Sequence, residues 1–251
     1  MTGFLGAVVF LTRLPVRTSR PLDTARSVPW FPIVGVLIGS LVGGTAALLE
    51  PWASPHVAAG VAIVVGLLVT GSFHEDGLGD VADAFVGGWT RDDRLRILKD
   101  SRHGTYGVVA LVSSIALRFA ALGALVTAGP KAAVIGAVAA HGLARSGAVG
   151  TMLVARPATG EGLGSDYVAH LRRGTSTVSI VVTVGVVAML GGWWAAVALG
   201  SVVATTVVMV AWSRRKIGGI SGDVLGAIEQ CGEIAVFVVL SVVAGHHQPW
   251  W

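Results

Sequence analysis

Seven of the chain's 14 acidic residues fall within 26 consecutive positions: Glu75, Asp76, Asp80, Asp83, Asp92, Asp93 and Asp100. Asp76, Asp80 and Asp83 are spaced i, i+4 and i+7, so on a helix they share one face. Three carboxylates on one face repel each other unless a cation sits among them. Hard oxygen ligands of this kind favour Mg²⁺, Mn²⁺ or Ca²⁺ over zinc. Gly77 and Gly79 remove side-chain bulk and would let a ligand approach the backbone. The competing reading is a solvated acidic loop. The metal reading gains from position, because the cluster begins where a long apolar run ends. His74 borders the acids, as a phosphate or metal partner or as a cap.

Two further segments carry chemistry-bearing residues. Lys99-Asp100-Ser101-Arg102-His103-Gly104-Thr105-Tyr106-Gly107 packs cations, hydroxyls and glycines together. Lys99 and Arg102 could clamp phosphate oxygens, arginine in bidentate fashion. Charge flanking a membrane span accounts for Arg91, Arg94 and Arg96 better than for these two. In Gly218–Ala227, four glycines surround Asp223. That pattern fits close backbone approach to a ligand, or a turn in which Asp caps a helix. Carboxylates for a divalent cation, flanked by lysine and arginine, suit phosphoryl transfer.

The elements that must position these residues are long apolar runs. The chain has 251 residues, 53% hydrophobic and only 13% charged, with a mean hydropathy of +0.76. Soluble domains carry about 25% charged residues, so an ordinary soluble globule and a disordered chain are both excluded. The single cysteine, Cys231, excludes an internal disulfide and a multi-cysteine metal site. A helix needs about 20 residues to cross the hydrocarbon core. Seven spans are expected, at about 30–49, 55–73, 105–126, 132–152, 175–191, 193–213 and 232–248. The runs lack the alternation of barrel strands, so the fold class is an all-α, polytopic membrane bundle forming one domain over 1–251. The run Thr2–Thr12 is too short to span and reads as an interfacial or re-entrant helix, not as a signal peptide.

Charge placement supports this count. With strict alternation, 15 of the 18 Lys and Arg fall on one side and only Lys131 on the other. By the positive-inside rule the first side is cytoplasmic, so the basic excess needs no nucleic acid. Trp30, Trp52, Trp193, Trp194, Trp212, Trp250 and Trp251 sit at span ends, as an aromatic belt would. Arg118 and Arg145 fall inside spans, where charge is costly and faces a polar interior; His141 lies one turn before Arg145. Few acids are expected within the spans, so an anionic substrate group is the favoured partner of both arginines.

A resemblance rests on several motifs in order. They are His74-x-Asp76-Gly77-Leu78-x-Asp80-x-x-Asp83, then Lys99-Asp100-Ser101-Arg102-x-Gly104-Thr105-Tyr106-Gly107, then Ala144-Arg145. Ala155-Arg156-Pro157 with Glu161-Gly162-Leu163-Gly164 follows, and then Gly222-Asp223-Val224-Leu225-Gly226-Ala227. Phe10-Leu11-Thr12-Arg13-Leu14-Pro15 and Trp30-Phe31-Pro32-x-x-Gly35 open the series. Together they resemble the cobalamin synthase family (adenosylcobinamide-GDP ribazoletransferase) from about residue 4 to 240. Glu75 and Ser221 are mild departures, from an apolar residue and a threonine.

The resemblance implies a Mg²⁺-dependent enzyme of the cell inner membrane. The ribose hydroxyl of α-ribazole 5′-phosphate or α-ribazole would attack the corrinoid-linked phosphorus of adenosylcobinamide-GDP, and GMP would leave. Asp76, Asp80 and Asp83 would hold the metal, and one of them would help deprotonate the incoming hydroxyl; Asp100 and Asp223 would be further ligands or base candidates. His74, Lys99, Arg102, Arg118, Arg145 and Arg156 would bind substrate. The active site would lie on the cytoplasmic face, with a homo-oligomer or a corrinoid-assembly complex as partners beside the lipid bilayer. The Asp-Gly motif is also similar to that of CDP-alcohol phosphotransferases. Their Asp-Gly-x-x-Ala-Arg pattern, however, meets Asp80 and Val81 here. A transporter would show inverted repeats, which the sequence lacks, and a non-catalytic scaffold would bind without turnover.

Overall fold

A computed structural model describes residues 2–16, 24–159 and 171–248. Trp250, Trp251, Glu161 and the Gly162–Gly164 motif lie outside the described residues. Among the described residues the regular elements are helices. In order come α1 (Thr2–Leu11), α2 (Thr24–Ser27), a single 3₁₀ turn (Val28–Trp30), α3 (Phe31–Leu49), α4 (Pro55–Thr70) and α5 (Phe73–Ala82). A π-helical turn (Asp83–Gly87), α6 (Arg91–Ile97), α7 (Thr105–Thr127) and α8 (Pro130–Val154) follow. The last three are α9 (Arg173–Gly191), α10 (Trp194–Ile217) and α11 (Gly222–Ala244). The one bridge outside helices among the described residues pairs Pro157 with Ile220.

Six of these helices are long and apolar enough to cross a membrane, and α4 with the segment after it makes up to seven. The protein is a multi-pass membrane bundle. α8 is its axis, with 83% of its apolar window buried. Gly35, Gly39 and Gly43 form a small-residue stripe on α3 that meets α8. A Cβ at Gly35 would lie 2.5 Å from the His141 carbonyl oxygen, and one at Gly43 would lie 2.7 Å from Val134 Cα. Helices in lipid associate by such close backbone approach.

Two expected spans differ in the structure. The expected span 55–73 ends at Thr70, and Gly71 (φ +65°) and Ser72 (φ +56°) turn the chain through the left-handed region. The following helical segment leaves α4 at 91°, so the two do not form one straight span. The last span begins at Gly222, ten residues before the expected 232. Glu229 and Gln230 lie in the polar stretch left outside the expected span, and Glu233 lies just inside it. All three are buried, at 0%, 2% and 1% exposure, because they face the bundle interior.

α1 is a ten-residue helix, too short to span, as expected. It packs back on the bundle through buried Ala7 and Leu11, and Phe10 stacks on Phe31 at 5.3 Å. Trp30, Trp52 and Trp193 are exposed at helix ends as a belt requires, whereas Trp194 is turned into the core.

Candidate active site

The site forms where α5 lies against the first turns of α11. A Cβ at Gly77 would meet the Asp223 carbonyl oxygen at 2.8 Å, and one at Gly226 the His74 carbonyl oxygen at 3.4 Å. These two glycines let the backbones touch. Ser221 caps α11, its hydroxyl accepting from the Val224 amide at 3.3 Å, which holds Asp223 in the first turn. Asp76 and Asp223 thereby line one cavity of about 290 Å³ with His74, Lys99, Arg145 and Glu229. Phe10, Phe31, Phe73 and Met152 supply an apolar wall.

Lys99 reaches the cavity because α6 is pinned. Arg91 donates to the carbonyls of Ile217 (3.0 Å) and Ala158 (2.8 Å). Arg94 donates to those of Gly88 (3.1 Å), Trp89 (3.0 Å) and Lys216 (3.2 Å). These arginines, read as flanking charge, are staples between α6 and the end of α10. Arg156 is exposed; its carbonyl accepts from the Ile220 amide at 3.0 Å. Its side chain is not among those lining the cavity, although neighbouring Pro157 is.

Asp80 sits one turn beyond Asp76 and faces His103. His103 Nε2 is 3.4 Å from Asp76 Oδ1, and Nδ1 is 3.5 Å from Asp80 Oδ1. These three side chains form a cluster that could hold a metal ion. Burial first, and then the neighbouring charges of Asp76 and Asp223, push the Asp80 carboxyl up to about 7. A carboxylate held against its own ionisation by like charges is one that a divalent cation would relieve. The donor set of two carboxylates and an imidazole therefore fits a hard or borderline divalent cation. His103 is a residue the sequence reading missed. Its one signal is its place at the mouth of α7, since no spacing rule links it to acids more than twenty positions earlier.

Asp83, expected as a third ligand, is not part of this cluster of side chains. Asp83 begins a π turn, and its carboxylate is taken up by the start of α7. Its Oδ2 accepts from the Gly104 amide at 2.6 Å and its Oδ1 from the Gly107 amide at 2.9 Å. Both oxygens satisfy orphan donors at the start of α7. Asp100 and Arg102 also stand apart from the cavity. Arg102 donates to both oxygens of Asp100 at 3.0 and 2.9 Å, with its side chain 86% exposed. That hydrogen bonding holds Asp100 down at about 2.

Arg118 and Arg145 meet carboxylates, not an open anion site. Arg118 Nη2 donates to Glu75 Oε1 at 2.9 Å and Nη1 to Glu233 Oε2 at 3.2 Å. Arg145 Nη1 donates to Glu233 Oε1 at 3.0 Å and lies 2.5 Å from Glu229 Oε1. His141 Nδ1 is in ion-pair contact with Glu233. All of these side chains are buried. His141, Glu229 and Glu233 lie close enough to hold a metal, yet the Arg145 guanidinium already serves as their cation. The expected anionic substrate partner is thus replaced by glutamates for Arg118, which is absent from the main cavity's lining. Arg145 combines both settings, since it also lines that cavity and its buried Nε has no protein partner.

These features define a class: a multi-pass helical membrane protein with carboxylates and cations gathered around one cavity at its basic end. The profile of the cobalamin-5-phosphate synthase family matches residues 3–241, and the chain belongs to that family. A Bradyrhizobium diazoefficiens protein named adenosylcobinamide-GDP ribazoletransferase is 38% identical over 238 residues, 93% of this chain and 90% of its own length. A protein of the same name from Shewanella sp. (strain W3-18-1) is 34% identical over 245 residues, 96% of this chain and 94% of its own. Another from Shewanella piezotolerans is 30% identical over 245 residues, 96% and 95% respectively. No solved structure gives a significant match.

Proposed function

We propose that the protein transfers the adenosylcobinamide-phosphate group of adenosylcobinamide-GDP to the ribose hydroxyl of α-ribazole 5′-phosphate or α-ribazole, releasing GMP, with Mg²⁺ held at Asp76 and Asp80. The observation that carries this reading is the position of Asp76. It belongs both to the carboxylate pair facing His103 and to the cavity that contains Lys99, Arg145 and Asp223.

When bound, the cation would supply charge neutralisation of the diphosphate. The remaining work falls to this chain's own side chains. Lys99, at the cavity edge, binds phosphate oxygens. Arg145, braced from behind by Glu229 and Glu233, presents a fixed positive charge at the floor. Asp223 accepts the proton of the incoming hydroxyl as the new O–P bond forms and the bond to GMP breaks. The phenylalanine wall takes the apolar part of a substrate and excludes water. The positive-inside rule favours the basic end as the cytoplasmic face, where soluble nucleotides would reach the site.

The test is direct. Purified protein is incubated with adenosylcobinamide-GDP, α-ribazole 5′-phosphate and Mg²⁺, and GMP and cobalamin 5′-phosphate are measured. Both are expected in equal amounts. Folded protein that forms neither overturns the assignment, and uptake into proteoliposomes without group transfer would favour a transporter instead.

A further inference from the structure

Phosphoryl transfer accounts for the charged side of the catalytic cavity and leaves its apolar side unexplained. Phe10, Phe31, Phe73, Leu95, Leu98 and Met152 line that side. They come from α1, α3, α5, α6 with its cap residue, and α8. Phe10 stacks on Phe31 with ring centroids 5.3 Å apart and planes 2° from parallel. Phe73 meets Phe10 edge-on at 5.1 Å. Rings packed in these geometries form a fixed surface. Phe31 is 4% exposed and Phe73 38%, so Phe73 leaves more of its ring open.

The place of Phe73 on α5 ties this wall to the reacting centre. It stands three residues before Asp76 in the same helix, and both line the cavity. At that spacing two side chains share a face, about 4.5 Å apart along the axis. A flat group resting on Phe73 is therefore one turn from the Asp76 carboxylate. Among the ring systems of the two substrates, one suits that place. A corrin macrocycle is too large for a cavity of about 290 Å³. Guanine and adenine carry amino groups and several ring nitrogens, which phenylalanine, leucine and methionine side chains cannot pair. The dimethylbenzimidazole of α-ribazole is flat, bears two methyl groups and has a single free ring nitrogen. It is joined through one ribose to the hydroxyl that attacks, and that ribose bridges the turn from Phe73 to Asp76.

We propose that the phenylalanine wall is the base subsite of the acceptor and that Phe73 is its specificity-determining residue. The inference rests on the transfer reaction proposed above and names which part of which substrate the wall takes. The base lies against the Phe73 ring, with Phe10 and Phe31 holding that ring in place. Selection is by flatness and apolar edge. A purine base in the same acceptor can still rest on the ring, but its edge groups are left without partners against the wall.

The experiment gives the full chain in nanodiscs two acceptors that differ only in the base, α-ribazole 5′-phosphate and α-adenosine 5′-phosphate. With adenosylcobinamide-GDP as donor, kcat/KM for GMP release should be about tenfold higher with α-ribazole 5′-phosphate, the effect of an unpaired polar edge. Phe73→Leu keeps the apolar volume and removes the flat face. It should raise KM for α-ribazole 5′-phosphate about fivefold, narrow the preference and leave KM for the donor unchanged, in protein that melts as the unaltered chain does. Equal kcat/KM for both acceptors in the unaltered chain overturns the proposal. So does a Phe73→Leu effect that falls on KM for the donor. Titration calorimetry of each acceptor without donor reads the subsite independently of turnover. If no GMP forms with either acceptor, tighter binding of α-ribazole 5′-phosphate that Phe73→Leu weakens upholds the subsite while the transfer reaction fails. Equal or absent binding of the two acceptors overturns the subsite.

Discussion

Replacing Arg118 with methionine separates two accounts of an intramembrane arginine. The side chain is 3% exposed and its guanidinium bridges Glu75 and Glu233. After Arg118→Met, Glu233 keeps Arg145 and His141. Among the described residues Glu75 loses its ion-pair partner, and its Oε2 already lacks a hydrogen bond, leaving only the more distant charge of Arg145. Removing one member of a buried pair costs about 3–5 kcal/mol, because the other charge stays buried and uncompensated. Pairing the change with Glu75→Gln removes that stranded charge, so the double variant should recover about 2 kcal/mol of the loss. The measurement is unfolding of detergent-solubilised protein over a range of SDS mole fractions, followed by tryptophan fluorescence, for both single variants and the double variant. A structural role predicts strong positive coupling between the two positions and little change in KM for the folded fraction. Unchanged stability in Arg118→Met with a large rise in KM for adenosylcobinamide-GDP would refute this reasoning and make Arg118 a phosphate ligand.

Other expectations concern the acidic cluster. Asp80→Asn should lower transfer by at least about a hundredfold, the effect of several kcal/mol of lost metal-assisted stabilisation, and should abolish stabilisation by added Mg²⁺ in a thermal melt. Asp83→Ala should cost about 1–2 kcal/mol as a lost helix cap and speed amide exchange at Gly104 and Gly107, while Mg²⁺ affinity persists; loss of that affinity would return Asp83 to the metal site. The Asp80 carboxyl, raised from 3.8 to about 7 in the folded protein, binds its proton more tightly folded than unfolded. Its contribution to stability is therefore full below about pH 4 and lost as pH rises through about 7. In EDTA the melting temperature of the unaltered chain should fall more steeply over that window than that of Asp80→Asn, and saturating Mg²⁺ should remove the difference. Arg102→Ala should leave KM unchanged, because Arg102 is spent on Asp100 in solvent; a tenfold rise would move it into the site.

The spans were legible because lipid-facing segments must be apolar along most of their length, and α3, α7, α8, α9 and α10 are. α11 was only half legible for the same reason inverted. Its first four turns carry Asp223, Glu229, Gln230 and Glu233, and hydropathy counts a polar residue without knowing which way it faces. The partners of Arg118 and Arg145 are not visible in local spacing: the cations sit on α7 and α8, while the carboxylates sit on α5 and α11, more than forty residues away in the chain.

In the acidic cluster, periodicity puts Asp76 and Asp80 together because both lie in regular α-helix, whereas spacing does not show the amides of Gly104 and Gly107 that Asp83 accepts from. His103 comes from a different element, brought in where Gly107 lets the start of α7 approach α5. A Cβ at Gly107 would lie 2.9 Å from the Gly79 carbonyl oxygen. The same contact explains why Asp83 is unavailable, since its carboxylate is what fastens α7 there. If the proposed cation is held beside His103, Asp83 would act on it through His103. Loosening the α7 cap should move His103 away from Asp80, so a spectroscopic probe such as Mn²⁺ electron paramagnetic resonance should report altered nitrogen coupling in Asp83→Ala with both carboxylates of the pair still in place.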